Sequence, residues 1–269
     1  IISTHPFSSQ MCSYLKRKGK IKSKIATIMT DFAPHDQWLV GHEYEDFYFV
    51  AHKEMKKYLI NAGVAKNKVY ATGIPISSKF QNDFNKEEIC KKLNFSENKK
   101  NILFFAGGKF GLGKSRTLSI FKCLVDDFDN IQIIAISGKN KKMYDEFNKI
   151  AISSNKSNQI NIFEFVNNVP ELMAISNLVI TKPGGLTTTE SLVSGLPMVI
   201  INPIPGQEEQ NAEFIEKSGS GIWLRKDFPI YETLSKIIND DSKISDMTKC
   251  TAKISNKNST QDICKILLK

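Results

Sequence analysis

The chain has 269 residues, 41% of them hydrophobic and 24% charged, and carries a formal net charge of +9. That is the balance of an ordinary soluble globular protein, and the longest apolar run, Leu196–Ile201, falls well short of a membrane-spanning helix and is interrupted by Pro197. The five cysteines (Cys12, Cys90, Cys123, Cys250, Cys264) are scattered and form no CxxC pair, and no secretory signal is present, so they read as reduced thiols with no zinc site and no redox motif.

Ile1–Thr4 opens the chain as a buried-strand pattern with no Met before it, and reads as the middle of a domain. A helix is expected over Ser8–Lys18, followed by a basic run: Lys16, Arg17, Lys18, Lys20, Lys22 and Lys24. Such a run reads either as a solvated helix end or as a patch held against an anionic bilayer. Nucleic acid is disfavoured because no aromatic stacking motif is interleaved with the lysines. Strands are expected at Ile25–Thr30, Asp46–Ala51 and Val69–Thr72, with a helix at Lys53–Ala62. Gly73-Ile74-Pro75-Ile76-Ser77 then breaks the pattern as an interdomain connection.

A second series of alternating patterns follows. Strands are expected near Asn101–Ala106, Ile131–Ser137, Ile160–Phe163, Leu178–Thr181, Met198–Asn202 and Gly221–Leu224. Helices are expected near Lys114–Asp127, Lys141–Ser153, Val169–Ser176, Thr187–Ser194 and Glu208–Ser218. The alternation predicts an α/β protein with mainly parallel sheets. Its parts are residues 1–76, the latter part of an N-terminal domain; 77–228, a complete second domain; and 229–269, a polar helical tail.

In an open parallel sheet, ligands sit beyond the carboxyl ends of the strands. Three loops there stand out. The first, Phe105–Ser115, is glycine-rich and opens a helix, as phosphate-binding loops do. Gly108–Ser115 also fits the G-x-x-x-x-G-K-[ST] pattern of a P-loop NTPase, but no candidate partner strand ends in the carboxylate that would hold Mg²⁺. The second loop, Thr181–Glu190, contains Gly184 and Gly185. Thr187 and Glu190 have the spacing of a capping box, while a crevice-facing Glu could instead accept from ribose hydroxyls. The third, Asn202–Asn211, is polar enough for a sugar, or is an acidic first helical turn. Asp127-Phe128-Asp129 has a metal-type D-x-D spacing but precedes a strand, and reads as surface.

The combination Lys182-Pro183-Gly184-Gly185-Leu186-Thr187 with Glu190, Gly195-Leu196-Pro197 and Asn202-Pro203-Ile204-Pro205-Gly206-Gln207-Glu208-Glu209 resembles the diacylglycerol glycosyltransferases. These comprise bacterial processive glucosyltransferases and monogalactosyldiacylglycerol synthases. The similarity extends to Thr4-His5-Pro6-Phe7, Thr30-Asp31-Phe32, Tyr48-Phe49-Val50-Ala51 and Thr72-Gly73-Ile74-Pro75-Ile76. It implies the GT-B fold, two Rossmann-like domains facing a cleft, with the N-terminal one incomplete.

Carried over by position, Gly107, Gly108, Gly111, Gly184, Gly185, Leu186 and Thr187 would meet the donor diphosphate. Glu190 would hold the ribose, Gln207 and Glu208 the sugar, and the backbone near Phe165 and Val166 the uracil. His5 and Asp31 match acceptor-side positions. The family's base-bearing, histidine-containing loop lies before the first residue, so no catalytic base is assigned. The resemblance implies inverting transfer of a hexose, glucose favoured, from a UDP-sugar to a membrane lipid such as diacylglycerol. It implies no metal or other cofactor, and a peripheral site on the cytoplasmic face of the membrane. A P-loop NTPase and a non-catalytic nucleotide-sugar-binding module are the alternatives.

Overall fold

The computed structural model describes residues 1–96, 98–106 and 113–268. Two parallel sheets carry the architecture. The first orders β1 (Ile2–Ser3), β2 (Ala26–Ile28), β3 (Phe47–Val50) and β4 (Val69–Ala71) as β1-β2-β3-β4. Helices α1 (Pro6–Arg17) and α2 (Lys53–Asn61) make two of its crossovers. Because every pair is parallel, the carboxyl ends of all four strands meet along one edge.

Helix α3 (Lys86–Lys92) follows the connection and was not expected from the sequence. Its signal is local: Asn85 Oδ1 accepts from the Glu88 N–H at 3.2 Å, with Glu87 and Glu88 in the first turn and Lys91 and Lys92 in the last.

The second sheet contains β5 (Lys100–Phe105), β6 (Ile131–Ile136), β7 (Ile160–Phe163), β8 (Leu178–Thr181), β9 (Met198–Ile200) and β10 (Gly221–Trp223). Their order is β10-β9-β8-β5-β6-β7, all parallel. The chain winds outward from β5 in one direction and then from β8 in the other. The two strands are neighbours, so the crevice beyond their carboxyl ends is the topological switch point where ligands bind in doubly wound sheets. Between the strands lie α4 (Lys114–Asp127), α5 (Lys141–Ser153), α6 (Val169–Ile175), α7 (Gly185–Val193) and α8 (Gln207–Lys217).

Side-chain alternation splits the core of this sheet in two. Ile102, Phe104, Ile133, Leu178, Ile180 and Val199 face one way, onto Phe121 of α4 and Phe147 of α5. Leu103, Ile134, Val179, Met198 and Ile200 face the other way, into a cluster that runs on without a break into Met29, Phe32, Trp38 and Ile74 of the N-terminal half. A strand covered on both faces has no polar side to show, which is why these segments read as continuous apolar runs.

Residues after 229 form α9 (Ile230–Ile238), α10 (Asp241–Ile254) and α11 (Ser259–Leu267). Leu234, Ile237, Ile238 and Met247 bury against the second sheet. Helix α11 returns to the first sheet, where Ile263 packs with Ala26, Ile28 and Phe49. Asn256 Nδ2 donates to Thr72 O and Ser259 Oγ to Gly73 O, both at 2.8 Å, so the last helices brace the interdomain connection.

Candidate functional site

Strand β8 feeds Thr181-Lys182-Pro183-Gly184 into α7 at the switch point. Gly184 is the N-cap, and the first intrahelical bond runs from Thr188 N to Gly184 O at 2.9 Å. The N–H groups of Gly185, Leu186 and Thr187 therefore precede the ladder, as the first donors of any helix do. The first turn holds no acidic residue, so the positive end of the dipole is left uncompensated for an anion.

The capping-box alternative does not form. Helix α7 begins two residues before Thr187, placing Thr187 inside the first turn and Glu190 in the second. Burial pushes the Glu190 carboxyl up to about 7, with no cation or donor among the described residues opposing it. A half-buried carboxyl so placed is suited to accept from hydroxyl groups that arrive with a ligand.

The loop after β9 is held from both sides. Asn202, in the left-handed region at φ 44°, donates from Nδ2 to Thr117 Oγ1 at 3.0 Å. This ties it to the beginning of α4, where Gly113 sits at φ +77° and a Cβ would fall 2.5 Å from the Asn202 side chain. Glu208 Oε2 accepts from Ile204 N at 2.7 Å and Glu209 Oε2 from Gly206 N at 3.2 Å, so both carboxylates fold back on their own loop. Gln207 opens α8 beside Asp31. Gly107, Gly108 and Gly111 lie outside the described residues. Phe165 and Val166 follow β7, two strands beyond β5; Phe165 is exposed and Val166 leans on the core.

His5 follows β1 and caps α1, its Nδ1 accepting from Phe7 N at 3.3 Å. Asp31 follows β2 and is buried. Burial raises its pKa, opposed by the neighbouring Gln207, Trp38 and Asn211 side chains and by His35. Trp38 Nε1 donates to its Oδ2 at 3.3 Å, and His35 Nε2 lies 4.0 Å away.

Asp31 sits where the two halves touch. The backbone O of Thr30 lies so close to Gly185 that a Cβ there would be 1.7 Å from it, so only glycine permits this approach. Phe32 N donates to Asn211 Oδ1 at 2.9 Å, and Asn211 Nδ2 donates to Pro183 O at 3.0 Å. Phe214 of α8 stacks on Phe32 at 5.1 Å and on His52 at 4.3 Å, while a His52 Nε2–H would donate to Phe32 O at 2.8 Å. Sequence reasoning missed Asn211, which ends the stretch read as a sugar loop. Nothing in its local spacing separates it from its polar neighbours.

The P-loop reading fails on the same topology. β5 pairs with β6 and β8, which run out into Ser137-Gly138 and Lys182, and neither end carries a carboxylate for Mg²⁺. Asp129 pairs with Lys156 at 2.6 Å on the surface, and Phe128 between the two aspartates is buried.

The model of the glycosyltransferase family 28 C-terminal domain matches residues 102–266, from β5 into α11. The chain belongs to that family. The monogalactosyldiacylglycerol (MGDG) synthase model matches residues 1–76, the part that forms the first sheet. Over 254 residues the chain is 30% identical to a processive diacylglycerol beta-glucosyltransferase of Bacillus cereus (strain G9842), covering 94% of this chain and 63% of that protein. The corresponding protein of Bacillus thuringiensis (strain Al Hakam) gives the same figures. The chain thus spans just under two thirds of the length of these curated relatives.

Among solved structures, Acinetobacter baumannii MurG superposes with a TM-score of 0.72 at 13% identity, over 98% of this chain and 72% of that one. The UDP-GlcNAc 2-epimerase of Neisseria meningitidis bound to UDP-GlcNAc gives 0.71 at 15% identity, over 99% and 75%. The fold is GT-B, two Rossmann-like units.

Proposed function

We propose that this chain holds the UDP-sugar of an inverting glucosyltransferase whose acceptor is diacylglycerol. The observation that carries the reading is the similarity to processive diacylglycerol beta-glucosyltransferases, which runs through both halves of the chain rather than the sheet motif alone.

The geometry is consistent with it. On this reading the diphosphate meets the N–H groups of Gly185, Leu186 and Thr187, with Gly184 and the loop containing Gly107, Gly108 and Gly111 beside it. As the bond to the sugar breaks, negative charge gathers on UDP, and the positive end of α7 stabilises it without requiring a metal. Glu190 accepts from the ribose hydroxyls, Gln207 and Glu208 from the sugar, and the backbone at Phe165 and Val166 faces the uracil. His5 and Asp31 belong to the acceptor side, Asp31 through the contact between the halves.

Peripheral contact with an anionic bilayer, on the cytoplasmic face, completes the proposal. No described helix is long and apolar enough to cross a membrane. Of the basic run, Lys16 pairs with Asp46, whereas Arg17, Lys18, Lys20 and Lys22 are exposed. Next to them α1 turns Phe7, Met11 and Tyr14 outward. Sedimentation with phosphatidylglycerol vesicles, weakened when these four cations are replaced by serine, is the expected behaviour.

Paired substitutions test the donor site. Glu190→Ala is expected to weaken UDP binding about tenfold or more while Lys114→Ala leaves it unchanged. The reverse pattern, with ATP as the ligand lost in Lys114→Ala, would restore the P-loop.

A further inference from the structure

Asn211 of α8 joins three pieces of the cleft. It is 1% exposed. Its Oδ1 accepts from Phe32 N at 2.9 Å and its Nδ2 donates to Pro183 O at 3.0 Å, beside the Asp31 carboxylate. Both ends of the amide are therefore spent on specific backbone partners. Phe32 and Asp31 belong to the N-terminal half, and Pro183 to the loop that enters α7.

The Pro183 bond has a directional consequence. Pro183 C=O and Gly184 N–H share one planar trans peptide and point in opposite directions. Fixing the carbonyl on α8 fixes the N–H of Gly184 away from it. Packing against the described residues does not do this job at Gly184, where an added Cβ would meet none of them within 4 Å. Gly185, one residue on, is pressed against Thr30 O. The loop is thus positioned by one hydrogen bond to Asn211 and one contact with the N-terminal half, and Asn211 also grips that half.

We propose that Asn211 is a positioning residue that couples docking of the N-terminal half to the aim of the Pro183–Gly184 peptide, and through it to nucleotide affinity. The affinity part rests on the donor-site reading given above.

Asn211→Asp keeps the size and the acceptor for Phe32 N, removes the donor to Pro183 O and sets a second carboxylate against Asp31. Adding Asp31→Asn removes that repulsion but leaves Pro183 O without its donor. UDP affinity by calorimetry, Tm, and amide hydrogen exchange at Phe32 and at Thr188, whose N–H donates to Gly184 O, are measured on both. Asn211→Asp is expected to weaken UDP about tenfold and speed exchange at both places, with α5 unchanged.

In the double variant Tm and Phe32 protection recover while UDP affinity stays low and Thr188 stays fast. UDP affinity returning together with Tm would show a merely structural side chain and overturn the proposal. If Asn211→Asp does not fold, Asn211→Ser carries the same comparison, since its hydroxyl is too short to span both partners. A parent chain that binds no UDP overturns the donor reading by itself. The coupling is then decided by exchange, standing if Asn211→Asp accelerates Thr188 and failing if it does not.

Discussion

A carboxyl in the second turn of α7 meets burial with nothing among the described residues to offset it, and its pKa rises from 4.5 to about 7. The folded chain then holds this proton more tightly than the unfolded one, so ionising Glu190 costs stability. That cost is absent below the unfolded value and grows as pH rises through about 7. Glu190→Gln is therefore expected to raise Tm by a few degrees at pH 8 and to leave it unchanged near pH 4. Only the ionised form accepts from two hydroxyls at once, so affinity for UDP-glucose, whose diphosphate has no group titrating in that range, should increase from pH 6 to pH 8. Identical pH slopes in the parent and Glu190→Gln would rule out a contact at this residue. Its glycine neighbours make a second contrast. Gly185→Ala puts a Cβ into Thr30 O and should cost about 1–3 kcal/mol or more by urea denaturation, whereas Gly184→Ala, at φ −66° in open space, should be close to neutral.

Helix α1 is packed with its apolar side outward. Ser9 and Ser13 face the sheet, where Glu45 Oε1 accepts from them at 2.6 and 3.0 Å and its Oε2 from Thr27 Oγ1 at 3.0 Å. Burial raises the Glu45 pKa, and the three hydroxyls oppose it. Glu45→Ala leaves all three without this acceptor and is expected to destabilise by about 1–3 kcal/mol in thermal or urea unfolding, while Asp46→Ala, on the half-exposed neighbour, should cost less. The element itself was legible from the sequence, but the face it buries was not. Phe7, Met11 and Tyr14 mark the side that a hydrophobic pattern would turn inward, and the buried hydroxyls are recognisable only once Glu45, more than thirty residues away, is in place. The start of α7 was misjudged for a related reason. Glycines 184 and 185 argue against helix, and Thr187 with Glu190 imitates a cap, yet tertiary contact with Thr30 lets the helix begin at Gly185.

At the scale of the whole molecule, the two parallel sheets were legible because each buried strand is a short apolar run bounded by turns, whereas the strand order that puts the switch point between β5 and β8 was not. The junction of the halves was not. It depends on Asn211 reaching Phe32 across 179 positions of sequence and on α11 returning Ile263 to the first sheet, and neither pairing has a local signature. Those contacts bring the N-terminal half against the loop where UDP is proposed to sit. Calorimetric titration of this chain with UDP and with ATP, each in EDTA and again with Mg²⁺, tests that placement most directly. UDP is expected to bind in EDTA with no gain from Mg²⁺, and ATP to give no heat. Mg²⁺-dependent ATP binding with no response to UDP would contradict it.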